Sequence, residues 1–242
     1  MKFRNAIIAT GLSVAAVTPV ASAGFSANYV GYGNFETHAV GYSSSLAWDS
    51  SVAITSFNLK LAEHKWDVGG STVYTWCAQL YQGVTSGTTY VFNPVSLENA
   101  PQTPPAPGPM GIVKANVLRD AMSRWLESDS RVVASAGTGS AASAAFCALG
   151  WEIIHENFGS VDEATLVSRL SLTNGAFRAA LTGESAKIYG SMVASLGQGG
   201  WRSIAAEGWD SPTAQDQFRV VPAPGAFALL GIAGGLAARR RR

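Results

Sequence analysis

The stretch Ala141 to Glu156, AASAAFCALGWEIIHE, constrains the fold more than any other part of the chain. It is long and rich in Ala, Leu and Ile, which predicts a well-buried helix. Cys147, one of only two cysteines, sits in its middle. The other, Cys77, lies in TVYTWCAQLY, where β-branched and aromatic residues predict a strand. The expectation is that this helix docks on that strand and that the two sulfurs meet.

The two ends read as targeting segments. Residues 1–23 fit a secretory signal: Lys2 and Arg4 are basic, Ala6 to Val20 is largely apolar, and Ala21-Ser22-Ala23 suits cleavage before Gly24. The apolar run is shorter than the roughly 20 residues that a membrane-spanning helix needs. At the other end, Val221-Pro222-Ala223-Pro224-Gly225 leads into an apolar run, Ala226 to Ala238, and then Arg239, Arg240, Arg241 and Arg242. As a helix that run spans only about 20 Å, and the arginines hold their end on the cytoplasmic side. A Pro-rich turn, a short apolar helix and a basic stop have the logic of a removable anchor.

VPAPGAFALLGIAGGLAARRRR resembles the PEP-CTERM sorting signal of Gram-negative bacteria that export surface polysaccharide, with Pro222, Pro224 and Gly225 matching and Ala223 where that family has Glu. The resemblance implies an exosortase-type processing protease as partner and transient membrane anchoring through the C-terminal helix. It also implies display at the cell surface or in the extracellular matrix.

Without these two segments the body keeps 11 of the 17 basic residues against 16 acidic ones, a formal charge of −5. That argues against nucleic acid as a partner of the body. Two cysteines in an exported protein suggest one disulfide by default, and neither belongs to a CxxC redox motif.

Taken in order, Gly24 to Lys65 reads as strands with turns, and the segment from Ser51 alternates through Val52, Ile54, Phe57, Leu59 and Leu61. Asp67-Val68-Gly69-Gly70 is a turn, Val73 to Tyr81 the Cys77 strand, and Gly83 to Phe92 a hairpin return. Asn99 to Gly111 is a Pro-rich crossover. Helical periodicity begins at Ile112, and Gly137 to Ser140 interrupts it before the Cys147 helix. Ser160-Val161-Asp162-Glu163 reads as a capping box, Asn174-Gly175 as a turn, and Gly183 to Leu196 as a further helix. Trp201 to Val221 returns to extended structure. Strands followed by helices and a closing extended segment make an α+β fold: a β-sandwich or barrel-like N-terminal sheet with a packed helical half, one domain over 24–220 followed by the 221–242 tail.

The order YTWCAQLYQG, GTTYVF, helix, AAFCALGWEIIHE, LTNGAFRAAL, AQDQF resembles the bacterial thioester domains, most closely the branch with a PEP-CTERM tail, over roughly residues 70 to 221. In that family a strand cysteine is joined to a helix glutamine as an amine-capturing thioester. Cys77 matches the cysteine, and Cys147 stands where the family has glutamine. Cysteine has no acyl carbon, so the resemblance implies a Cys77–Cys147 disulfide in place of the thioester. Two buried free thiols, or a reactive site, either a redox pair or a thioester from Cys77 to Gln79, Gln82 or Gln198, are the alternatives.

Other constellations are thinner. Glu152-x-x-His155 has di-iron spacing, but a working site needs two such motifs, so His155 reads as a surface residue near a helix end. His38 and His64 are too isolated for zinc. Gly137 to Ser140 before a helix has the form of an anion cradle or a flexible cap. Trp48, Trp66, Trp76 and Trp125 offer either sugar stacking or core packing. No HExxH, Walker or GxSxG motif occurs. The reading is therefore a non-enzymatic surface or biofilm-matrix protein, structural or adhesive, with no cofactor and no metal. Extracellular polysaccharide or another cell surface is its expected partner. An active thioester adhesin or a secreted carbohydrate-binding domain stands as the alternative.

Overall fold

A computed structural model describes residues 24–222, apart from 44, 55–57 and 105. The signal segment with Ala21 and Ala23, and the tail from 223 with Pro224, Gly225 and Arg239 to Arg242, lie outside the described residues. Among the described residues no helix is long and apolar enough to cross a membrane.

Seven described strands form one antiparallel sheet: β1 Phe25–Tyr42, β2 Asn58–Val68, β3 Ser71–Cys77, β4 Thr89–Ser96, β5 Phe177–Ala179, β6 Ala206–Asp210 and β7 Gln217–Val220. Their order is β2-β3-β7-β6-β4-β1-β5, and β1 also pairs with β2. The first six therefore close on themselves as a barrel, which removes their open edges. The long β1 makes closure possible: Phe25 to Asn28 pair with β4, and Asn28 to Ala39 pair with β2. The β2–β3 hairpin turns on Gly69 and Gly70, both with positive φ (60° and 84°), as a two-residue loop between Val68 and Ser71 requires.

Among the described residues there are four α-helices, all between β4 and β6 in the chain: α1 Gly111–Trp125, α2 Gly139–His155, α3 Glu163–Arg169 and α4 Gly183–Ser195. α2 packs against β1, β2 and β3 on one side and α1 and α4 on the other. Every residue from Ala141 to His155 is buried. Its alanines bring the backbone close to the sheet, and at Gly150 a Cβ would stand 3.0 Å from the Phe218 ring. Phe146 packs on Trp76 with ring centroids 4.7 Å apart and on Phe218 at 6.4 Å.

A second, smaller cluster fills the barrel. Trp66 of β2 meets Phe92 of β4 at 5.1 Å and Trp209 of β6 at 6.5 Å. With the sheet closed on itself, these contacts between strands that are not neighbours lie on its inner face. The Trp66 indole is satisfied by Thr75 Oγ1 at 2.8 Å, whose hydroxyl donates to Gln217 Oε1 at 2.8 Å.

The architecture is the expected α+β arrangement with a barrel-like sheet and a helical half. Two local readings change, and two that the sequence left open acquire a structural account. β4 does not return beside β3 as a hairpin; β7, from the far end of the chain, takes that place, and β4 pairs with β1 and β6. The cap of α3 is Asp162, whose carboxylate accepts the Thr165 amide at 2.8 Å, rather than Ser160. At the α2 N-terminus the chain's own Glu184 accepts both the Thr138 amide (3.0 Å) and the Thr138 hydroxyl (2.8 Å). Trp66 and Trp76 are fully buried, and Trp125 donates to Ser195 Oγ at 2.9 Å, so these indoles serve packing.

Because Phe146 fills the contact between α2 and the barrel wall, Phe146→Ala should cost about 3–5 kcal/mol. Guanidinium unfolding checks this: the midpoint falls while the m-value stays unchanged. A loss below about 1 kcal/mol would show that the contact is not central to stability.

Candidate functional site

The two cysteines converge where β3 ends. Both are buried, and both are free thiols in this structure rather than the expected disulfide. Two observations place them together. The Cys147 sulfur lies against the backbone of Ala62, and Ala62 lies one step beyond the Glu63–Trp76 pair, level with Cys77 on the neighbouring strand. One helical turn after Cys147, the Trp151 indole donates to the Cys77 carbonyl at 2.9 Å.

Each sulfur is held as a thiol. Burial pushes Cys147 up to about 12. Burial, reinforced by Cys147, pushes Cys77 well above the ordinary thiol range. The Cys77 S–H donates to the Gln79 carbonyl at 2.6 Å, which also accepts Gln215 Nε2 at 2.6 Å. A thiolate, the nucleophilic form, is therefore scarce at this site at neutral pH.

A ring of buried polar groups surrounds the strand end. Gln79 receives the Asp216 amide on Oε1 (3.2 Å) and donates to the Gln102 carbonyl (3.2 Å). Its amide is thus engaged away from the sulfur. Gln82 donates to Pro212 O at 3.5 Å, and Gln198 lies in the loop that Arg124 holds. None of the three glutamines considered from the sequence presents its amide to Cys77 through a described hydrogen bond. The residue directly across the ladder from Cys77 is Gln217, which sequence reasoning missed. Nothing local in AQDQF marks it, because its position depends on the pairing of β3 with β7.

Asp216 and Asp210 complete this end. Asp216 accepts the Ser211 and Gln102 amides, each at 2.7 Å, and fixes the β6–β7 turn beside Ala78, whose amide donates to the Asp216 carbonyl at 2.8 Å. Asp210 is buried with Oδ1 unpartnered. Burial and the neighbouring Asp216 push Asp210 up to about 7, and burial pushes Asp216 up to about 6.

His155 is not the surface residue expected. It is buried against Tyr42 and Tyr81, with Nε2 unpartnered, and burial lowers it to about 3, so it stays neutral. Lys114 of α1 does the work expected of a cation at that helix end: its ammonium donates to Ile154 O at 2.9 Å and Glu156 O at 2.7 Å. Glu152 and Glu156 each give one oxygen to a backbone amide, of Ser171 (2.8 Å) and Phe177 (2.6 Å), and clamp the 171–177 segment to α2. Among the described residues no group of three or more His, Cys, Asp or Glu could hold a metal ion.

No family model, no curated protein and no solved structure matches this chain.

The aspartates carry a pH signature. An unfolded Asp loses its proton near pH 4, whereas Asp216 and Asp210 keep theirs to about 6 and 7 in the fold. The folded state binds more protons in this window, so its stability is greatest below about pH 4 with respect to these groups and declines as pH rises to about 7. Asp210→Asn should flatten the upper part of that decline in unfolding experiments at stepped pH. A wild-type profile flat from pH 4 to 7 would contradict the buried, proton-holding arrangement.

Proposed function

We propose that the chain is an exported, surface-displayed protein without enzymatic activity. In this reading its body is built like a thioester domain but joins strand to helix through a Cys77–Cys147 disulfide. The role is structural or adhesive, in the polysaccharide or biofilm layer outside a Gram-negative cell. An exosortase-type protease acts on the tail, whose C-terminal helix anchors the protein transiently.

The observation that carries the reading is that the only two cysteines of the chain both lie, buried, at the contact of β3 with α2. A glutamine at 147 would place an acyl group at this contact; a cysteine places a second thiol there. In an oxidising compartment the two thiols give up two hydrogens and two electrons to a disulfide oxidant, which is reduced to its dithiol. On chain entropy, closing the loop of about 70 residues between them stabilises the fold by roughly 4 kcal/mol, less any strain. Because the folded thiols are buried and protonated, the bond forms in the unfolded or folding chain, before α2 closes over β3.

A second reading has one observation in its favour. Gln217, opposite Cys77, has its carbonyl polarised by the Thr75 hydroxyl and its amide nitrogen held by Gln215 O at 2.9 Å. Attack by Cys77 would give a thioester and release ammonia.

Intact mass decides between them. Protein exported into an oxidising compartment should lack two hydrogens and regain them with a thiol reductant. Protein first folded with its thiols reduced should react with Ellman's reagent only after unfolding. A mass short by one ammonia, with capture of methylamine, would replace the disulfide by the thioester. An unaltered mass would overturn both.

A further inference from the structure

Trp201 differs from the other tryptophans: its ring is 43% exposed, whereas Trp66, Trp76, Trp151 and Trp209 are buried. Single exposed apolar residues are ordinary, but this one is held rigidly. The loop that carries it turns on Gly197, Gly199 and Gly200, all with positive φ. Buried Asp120 of α1 accepts the Gly197 amide on one oxygen and the Arg202 amide on the other, each at 2.8 Å. Arg124, paired with the same carboxylate at 2.9 Å, donates to Gln198 O at 2.9 Å and Gly200 O at 3.1 Å. The indole lies against the bare backbone of Gly197, where a Cβ would stand 3.3 Å from the ring. A fully buried carboxylate thus orients a solvent-facing aromatic ring.

The ring borders a recess of about 240 Å³ whose remaining walls are Asn116, Arg119, Glu163, Arg202 and Ser203. The floor is interlocked: Asn116 donates to Glu163 Oε1 at 2.8 Å, and Arg119 donates to Asn116 Oδ1 at 3.4 Å while pairing with Glu98. The carboxylates are therefore engaged. The Arg202 guanidinium is exposed and has no ion pair or hydrogen bond among the described residues.

We infer that this recess binds an acidic saccharide unit, with the sugar ring stacked on Trp201 and its carboxylate held by Arg202. A pyranose offers an apolar C–H face to an indole and a rim of hydroxyls that both donate and accept. The second N–H of Asn116, the remaining oxygen of Glu163 and the Ser203 hydroxyl, which the interlocked floor leaves free, meet that rim with both functions. The unpaired, planar guanidinium matches a carboxylate bidentately and sets the preference for a uronate over a neutral sugar. Preorganisation of the ring by Asp120 spares the ligand the entropy of ordering a loop. The inference supplies a partner for the surface-display reading and rests on that reading for its setting; the recess shares no residue with the cysteine site.

The test uses the purified full-length protein and two probes, an oligogalacturonate and the neutral maltohexaose. Tryptophan fluorescence and calorimetry should show saturable binding of the oligogalacturonate and weaker binding of maltohexaose. Trp201→Ala should weaken binding at least about tenfold, and Trp201→Phe should retain part of it. Arg202→Ala should abolish the preference for the acidic probe and the salt dependence that accompanies it. Thermal unfolding of each variant checks that the fold is intact. Absence of saturable binding, equal binding of both probes by the wild type, or binding unchanged by Trp201→Ala would overturn the assignment. None of these outcomes alters the mass result at the cysteines, so failure here and failure of the disulfide remain distinguishable.

Discussion

The burial of α2 is the constraint on which the rest of the structure depends. A helix buried over every residue from Ala141 to His155 has no solvent face, so its surroundings must enclose it completely. The barrel wall of β1, β2 and β3 covers one side, and α1 and α4 cover the other. The small residues of the helix allow close approach on both sides, while Phe146 and Trp151 fix its height along the strands. The position of Cys147 follows from that docking. Whatever chemistry the cysteines undergo, the helix brings them to one place.

The same enclosure explains the buried polar groups. The C-terminal end of α2 carries Glu152, His155 and Glu156 into the interior, where Glu152 and Glu156 each accept one backbone amide, of Ser171 and Phe177, and Lys114 caps the Glu156 carbonyl, while the second oxygen of each carboxylate and His155 Nε2 have no hydrogen-bond partner among the described residues. These contacts fasten the 171–177 segment, and through β5 the end of β1, to the helix. Buried polar groups held in this way favour one arrangement over others because any misplacement leaves a donor or acceptor without a partner. At the opposite face, Asp120 does the same for the loop that presents Trp201.

Much of this was legible in the sequence, for reasons that can be named. The Cys147 helix is visible because its composition alone demands burial, and the Gly69-Gly70 hairpin because only glycine tolerates both turn positions. The partner of β4 is not visible: alternation reports which face a residue occupies but not which strand lies alongside, and β7 sits beside β3 from 140 residues further on. Gln217 and the Asp210–Asp216 pair were missed for the same reason. His155 was misplaced because the preference for cations at helix ends assumes an exposed end, whereas this one is covered by Tyr42, Tyr81 and Lys114. Trp201 resembles any other tryptophan in a polar stretch until Asp120, some 80 residues earlier, is seen to hold its loop.

Native-state hydrogen exchange across α2 tests the central claim most directly. If the helix is the element that the whole fold encloses, the amides from Ala144 to Ile154 exchange only through global unfolding. Their opening free energy then equals that from denaturant titration, and no barrel strand is better protected. Exchange of these amides through a local opening of lower free energy, with the barrel strands still protected, would show that the barrel stands without the helix and contradict the account.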